Sequence, residues 1–497
     1  MKHFIICFLF FINSDMLICG TLHVGSGHTY SSLSDAGQDV RPGDTILFHE
    51  GVYPGGEFLA DLQGEVTKKI YILGEQNKEV IIRGGTNSWQ LSDAAYLHIE
   101  GFIFEQQTGN GFNMDDGGSG SLSHHITIQY CIFRDMNADG NNDLLKLSGV
   151  DDFKILNCTF LNGSAGGSGI DMVGCHNGEI TRNTFENMGS NAIQAKGGTQ
   201  WVAIEKNFFK NCGQRSINIG GSTGLEFFRP INAPFEASDV KVLCNIFVGS
   251  VAPIAFVGAV KCDVINNTII DPGKWVMRIL QESVDPDRFE PCGNNLFRNN
   301  IVYKNNAVST DCNIGPDTAP ETFNMSHNLW YNHENPANSA ASGLPVPDSV
   351  SIVGEDPLFE EVPIDDYSIP LNSPATGAGY KYYTPFLDFL GHGFANPRSI
   401  GAIEGDPSIV TTGTKTVNKI KLDIFPNPTG DEISILWSER NIPQLKLEVL
   451  DAQGRPVSTK NISNGSFWKK DQEKPGVYFF RFMNGVHIVG IQKVVLL

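Results

Sequence analysis

The sequence is short of positive charge, of long apolar runs and of paired cysteine motifs. Lys and Arg total 36 against 55 Asp and Glu, a formal net charge of −19, which excludes nucleic acid as a partner. Beyond the first residues, no apolar run approaches the roughly 18 residues of a membrane helix, so no transmembrane segment is expected. The ten cysteines never form a CxxC pair, and a zinc site of that type is not indicated. Charged residues are only 18% while glycine reaches 53, a balance that favours a turn-rich β protein over a helical one.

What is there begins with Lys2 and His3 ahead of the apolar run Phe4 to Ile12, with small residues near Cys19 and Gly20. This order predicts a secretory signal peptide over residues 1–20. Removing it leaves eight cysteines in an exported context that permits disulfides.

The strongest signal is self-similarity. Asp143-Leu-Leu-Lys-Leu-Ser-Gly149, Ser168-Gly-Ile-Asp-Met-Val-Gly174, Asn191-Ala-Ile-Gln-Ala-Lys-Gly197 and Arg215-Ser-Ile-Asn-Ile-Gly-Gly221 close on glycines 25, 23 and 24 residues apart. Ala252-Pro-Ile-Ala-Phe-Val-Gly258 follows after 37, so one coil carries a longer loop. A second motif runs in phase: Cys131-Ile-Phe133, Cys158-Thr-Phe160, Asn183-Thr-Phe185, Asn207-Phe-Phe209, Asn245-Ile-Phe247, Asn267-Thr-Ile269 and Asn300-Ile-Val302. Such periods mark a solenoid, and the alternation of apolar and polar residues is that of strands. One coil cannot bury its own apolar face, so coils must stack, pairing in parallel about 4.8 Å apart. Leu145, Ile170, Ile193, Ile217 and Ile254 then form one inward column, and Leu147, Met172, Ala195, Ile219 and Phe256 the next. Lys146, Asp171, Gln194, Asn218 and Ala255 point outward between them. The recurring Asn of the second motif is expected at a bend, satisfying its neighbours' backbone groups.

On these motifs residues 21–404 resemble the right-handed parallel β-helix superfamily of pectate lyases, alginate lyases and related proteins. Tyr30 to Ala36, Val40 to Ile46 and Glu50 to Tyr53 look like its first coil and cap; Asp356 to Phe359, Leu371 to Ala375 and Ile400 to Glu404 look like its end. Composition changes after Glu404. Residues 405–419 read as a linker, and strand-like runs at Glu432 to Trp437, Leu445 to Leu450, Val477 to Phe482 and Val486 to Val495 predict a small β-sandwich over 420–497. Ile424-Phe-Pro-Asn-Pro-Thr-Gly430, Leu447 to Val457, Pro475-Gly-Val-Tyr478 and Lys493 to Val495 resemble the C-terminal sorting domain of the Bacteroidetes type IX secretion system. The resemblance implies type IX machinery as a partner and a secreted or outer-membrane surface location. The chain is expected to act as a monomer.

A binding groove on such a fold crosses several coils on one face. Asp143, Lys146, Asp171, Asn191, Gln194, Lys196, Arg215, Asn218 and Arg278 are the large polar groups of the first-motif face, and they suggest an anionic polysaccharide. Eliminating across a uronate needs a cation for the carboxylate, a base for the carbon-bound proton and an acid for the leaving oxygen. In the chondroitinase B and alginate lyase family a Lys base and an Arg acid occupy neighbouring coils. That resemblance implies Lys196 as base and Arg215 as acid or clamp, with Asp171, Gln194, Asn218 and Arg278 binding substrate. The family's Glu-x-Glu calcium pair does not precede Lys196 here. Lys146 is the competing base.

Asp135, Asn137, Asp139 and Asp143 have EF-hand-like spacing, but Lys146 stands where the bidentate Glu belongs, leaving a looser calcium site or a plain polar turn. The alternatives to a lyase are a glycoside hydrolase using Asp143 and Asp171, with Asp115 and Asp116 on the coil before, and a non-catalytic glycan-binding surface protein. Cys131 and Cys158, on adjacent coils, are either a disulfide or buried thiols. His124-His125 reads as a coil-edge pair without a third metal ligand.

Overall fold

The computed structural model describes residues 19–118, 123–381, 387–405, 422–425, 432–437, 444–450, 456–470, 476–484 and 487–496. The signal peptide expected over residues 1–20 and the linker expected over 405–419 lie outside them, apart from residues 19, 20 and 405. The chain divides into two compact units, residues 1–390 with 396–406 and residues 391–395 with 407–497.

The first unit is a parallel β-helix whose coils build three long sheets, of 17, 12 and 10 strands. Register follows the motif alignment. Leu145 pairs with Ile170, Ile170 with Ile193, Ile193 with Ile217 and Ile217 with Ile254, and every member of this column is fully buried. Because side chains alternate, a one-residue slip would turn these aliphatic groups into water, so burial fixes the register.

The second motif builds the twelve-stranded sheet. Phe104, Phe133, Phe160, Phe185, Phe209 and Phe247 stack through the core at centroid spacings of 4.7–4.9 Å. The Asn residues form the expected ladder. Asn207 Oδ1 accepts the Asn183 backbone N–H at 2.9 Å, and Asn207 Nδ2 donates to Ile180 O at 2.9 Å. The same contacts recur through Asn245, Asn267, Asn300 and Asn328. The residue before each ladder Asn is left-handed, for example Arg182 at φ 60°, Lys206 at 56° and Asn266 at 54°. The bend frees backbone groups from the strand ladder, and the buried amide satisfies them. Cys158 takes the Asn position, and its N–H donates to Asn183 Oδ1 at 2.8 Å. Cys131 and Cys158 are buried free thiols, as are the other six cysteines from Cys175 to Cys312; the disulfide alternative is not realised.

Among the described residues, the strands of the second unit pair antiparallel. Glu432–Trp437 pairs with Leu422–Phe425 and Ser466–Lys469; Gln444–Leu450 pairs with Pro456–Ser463 and Gly476–Asn484, which pairs with His487–Leu496. Ile433, Ile435, Leu447, Val449, Trp468 and Phe480 from both sheets share one core, the sandwich the strand pattern predicts. Among the described residues no helix is long and apolar enough to cross a membrane.

Candidate functional site

The ten-stranded sheet carries one polar column across the coils. Gln90, Asn113, Lys146, Asp171, Gln194, Asn218, Ala255, Arg278 and Asn313 are consecutive partners in register. Stacking at about 4.8 Å spreads Lys146 to Arg278 over roughly 24 Å.

The long coil covers part of this column. Residues 221–236 leave the sheet and fold back over earlier coils. Arg229 donates to Gly174 O at 2.9 Å and to both oxygens of Asp151 at 3.1 and 3.0 Å, while Thr223 and the Gly197 N–H bind the Glu236 carboxylate. The recurring glycines make this approach possible. Gly174 is left-handed at φ 60°, and a Cβ there would lie 2.5 Å from Arg229 Cβ. Between loop and sheet lies a cleft of about 750 Å³ lined by Asp116, Lys146, Lys196, Phe227, Arg229 and Ile231 among others. Phe227 is 64% exposed at its lip, a free aromatic face of the kind that stacks on sugar rings.

The floor is a compact charge cluster. Lys146 Nζ donates to Asp171 Oδ2 in a very short contact and to Asp143 Oδ2 at 3.4 Å. Lys196 Nζ lies 3.3 Å from Asp171 Oδ1, an oxygen with no hydrogen bond of its own. Asp143 and Asp171 are each 1% exposed, whereas the lysine side chains retain 26% and 14%. The cations therefore face the cleft and the carboxylates lie beneath them.

Burial, and then the charge of Asp171, raise the Asp143 carboxyl to about 6. Burial alone would lower Lys146, but Asp171 and Asp143 outweigh it and hold the amine above its ordinary value. Lys146 is thus kept as an ammonium, which argues against its role as competing base. Burial also raises Asp116, which lines the same cleft.

A raised carboxyl pKa means the folded chain binds a proton that the unfolded chain has lost. Asp143 therefore lowers stability as pH rises from about 4 to about 6, and its cost is complete above that window. Asp143→Asn removes one titrating group. The stability of the variant relative to the wild type is expected to rise across that window, measured by urea unfolding at pH 4, 5, 6 and 7. A flat difference would contradict the assignment.

The far end of the column holds a second cluster. Arg215 Nη1 donates to Asn218 Oδ1 at 3.0 Å, and its other nitrogen lies 3.4 Å from Glu282. Arg278 donates to Asn313 at 3.0 Å and lies 4.9 Å over the Trp275 ring. Burial, and then Arg215, push Arg278 below its ordinary value. Among the described residues Arg278 has no carboxylate within ion-pair distance.

The structure therefore separates several residues grouped in the sequence reading. Arg215 pairs with Asn191, five residues upstream of Lys196 on the same strand register, about 16 Å along the strand direction. Lys196 leans to Asp171 and Arg215 to Asn218, so the two do not form one base–acid pair. Asp171 and Asn218, expected outward, are buried beneath the neighbouring side chains, each at 1% exposure. The carboxylates of the calcium-like loop are not gathered: Asp135 accepts from Asn162 Nδ2 at 2.7 Å, while Asp143 turns to the Ser168 N–H at 2.7 Å and to Lys146. His124 and His125 do meet, Nδ1 to Nδ1 at 2.9 Å, beside Tyr96. Arg229 and Phe227 were not singled out from the sequence; the 37-residue glycine gap was the signal that pointed to them.

Comparison with known proteins bears on the fold. Residues 69–229 match the family described as right handed beta helix region, and residues 423–496 match the secretion system C-terminal sorting domain. The solenoid is thus the right-handed form, and the sorting domain, of the type IX system, marks a secreted or cell-surface protein. No curated protein sequence matches the chain. Among solved structures, pectate lyase Pel9A superposes with a TM-score of 0.51 at 13% identity, over 78% of this chain and 96% of that one. The PL6 family alginate lyase AlyGC gives 0.40 at 12% identity, over 80% of this chain and 58% of that one. An alginate lyase from Paenibacillus sp. gives 0.31 at 16% identity, over 60% and 96%.

Proposed function

We propose that this secreted β-helix is a polysaccharide lyase that cleaves a uronate-containing chain by β-elimination. The observation that carries the reading is the floor of the cleft, where two lysines face the open space and the carboxylates lie buried below them. Lys196 acts as the base. It is held by one ion-pair contact, while Lys146 is bound by two carboxylates. Lys196 in its amine form takes the proton α to the uronate carboxyl, the electron pair forms the new double bond, and the β C–O bond breaks. Lys146, kept as an ammonium, gives a proton to the leaving oxygen. Asp171, which touches both amines, lets the proton gained by Lys196 return to Lys146. Arg278 receives a uronate carboxylate further along the same column, Gln194 and Asn218 lie between it and Lys146, and Arg215, offset along the strand, reaches the column at Asn218. The fold likeness to pectate lyase Pel9A agrees with this reading, though fold alone hosts many chemistries.

Hydrolysis has one observation in its favour, the raised pKa of Asp143 beside Asp171. A hydrolase must place both carboxyls against the scissile bond, and these two are covered by Lys146. The test is incubation with pectin, alginate and glycosaminoglycans while following ultraviolet absorbance. A lyase produces a conjugated double bond on at least one of them. New reducing ends without that absorbance would overturn the reading in favour of hydrolysis, and retention of a polymer without cleavage would leave a binding protein.

A further inference from the structure

Three imidazoles gather on the first coils, well away from the cleft. His23 lies in the strand Thr21–Val24, His28 in the turn that follows, and His49 just after the next coil's strand Thr45–Phe48. Parallel pairing of these strands, with the His49 N–H donating to Val24 O at 3.0 Å, sets His49 beside His23. The turn between His23 and His28 contains Gly25 at φ 146° and Gly27 at φ 80°. A Cβ on Gly25 would lie 2.9 Å from Tyr53 Oη and 3.3 Å from His49 Cβ, so only glycine lets the chain curl this tightly. The curl lays the His28 ring on that of His49, with centroids 3.9 Å apart and planes 8° apart. His23 Nδ1 is 2.9 Å from His49 Nε2.

One ring nitrogen from each of the three histidines lies within 4.8 Å of the other two. The second nitrogen of His49 faces Glu75 Oε2 at 3.3 Å, and that oxygen is fixed by the Glu50 N–H at 3.0 Å. A carboxylate behind a histidine is the arrangement that sets the tautomer of a metal-bound imidazole. Tyr53 pins the backbone of the same corner by donating to His49 O at 2.7 Å.

We propose that His23, His28 and His49 bind a divalent transition-metal ion of the zinc class, with Glu75 orienting His49. Three imidazole donors suit zinc, copper or nickel and do not suit calcium or magnesium. Zinc–nitrogen bonds of about 2.0–2.1 Å place tetrahedral donors about 3.3 Å apart, and rotation of the two exposed rings, His23 and His28, reaches that spacing. The fourth position opens to solvent and takes water. The ion joins the first coil, its turn and the second coil, so it pins the N-terminal end of the solenoid. It does not touch Lys146 or Lys196, and the inference stands whatever the cleft does.

The test uses the untagged full chain, stripped with chelator and titrated with zinc chloride by calorimetry. Cobalt chloride provides a second readout, since tetrahedral nitrogen ligation gives an intense visible band. One ion per chain is expected, with a rise in the thermal midpoint. Glu75→Gln is expected to weaken binding about 10- to 100-fold. His28→Ala with His49→Ala is expected to abolish it, and His124→Ala to leave it unchanged. No saturable binding by the wild type, or equal binding by a folded His28→Ala/His49→Ala variant, would overturn the proposal.

Discussion

Replacing Lys196 by arginine is expected to lower kcat/KM on the cleaved polysaccharide by about a thousandfold, within the range for loss of a general base. The substitution is chosen to separate two roles. An arginine preserves positive charge beside Asp171 and so keeps the ion pair. It cannot lose its proton near neutral pH, so it cannot accept one from carbon. A purely structural Lys196 would be rescued by arginine, whereas a base would not. KM should change little, because Arg278 and the exposed Phe227 face remain in place. Retention of more than about a tenth of the activity would remove Lys196 from the role of base.

The largest effect on stability is expected at the centre of the asparagine ladder. Asn207→Ala removes an oxygen that accepts both the backbone N–H and the side-chain amide of Asn183, and a donor to Ile180 O. These groups are buried. Each buried polar group left without a partner costs about 1–3 kcal/mol, so a loss of about 3–5 kcal/mol is expected in urea unfolding. The exposed Asn338→Ala serves as control. Hydrogen exchange should localise the damage to coils on either side of Asn207, since each coil leans only on its neighbours. A loss below about 1 kcal/mol would mean that water or a shifted backbone replaces the ladder.

The register of this fold was legible because period and alternation act together. Aligning the motifs on their closing glycines already placed Leu145, Ile170 and Ile193 in one column, and the structure pairs them so. The same alignment held the position of Arg215. It occupies the slot of Asn191, five residues before the slot of Lys196. Counting coils alone measures distance along the stack and ignores offset along the strand, so the two seemed nearer than they are. What no periodicity contained was the path of residues 221–236, an insertion whose contacts with Asp151 and Gly174 join residues 55 to 78 positions apart. The calcium-like spacing failed for a related reason. Asp143 begins a strand, and strand pairing commits its carboxylate to the Ser168 N–H. His23 and His49 stand 26 residues apart, one coil, and that spacing was the available sign of their meeting.

The eight cysteines from Cys131 to Cys312 are all buried and unpaired. Burial pushes the thiols of Cys175, Cys212, Cys292 and Cys312 up to about 12, so essentially no thiolate exists at neutral pH. They are spread along the central coils of the solenoid, from Cys131 to Cys312. An alkylating reagent would therefore act as a recorder of which coils have come apart, marking each thiol only when its own turn of the helix opens. The same shielding keeps these eight thiols away from dissolved oxidants for as long as the coils stay stacked.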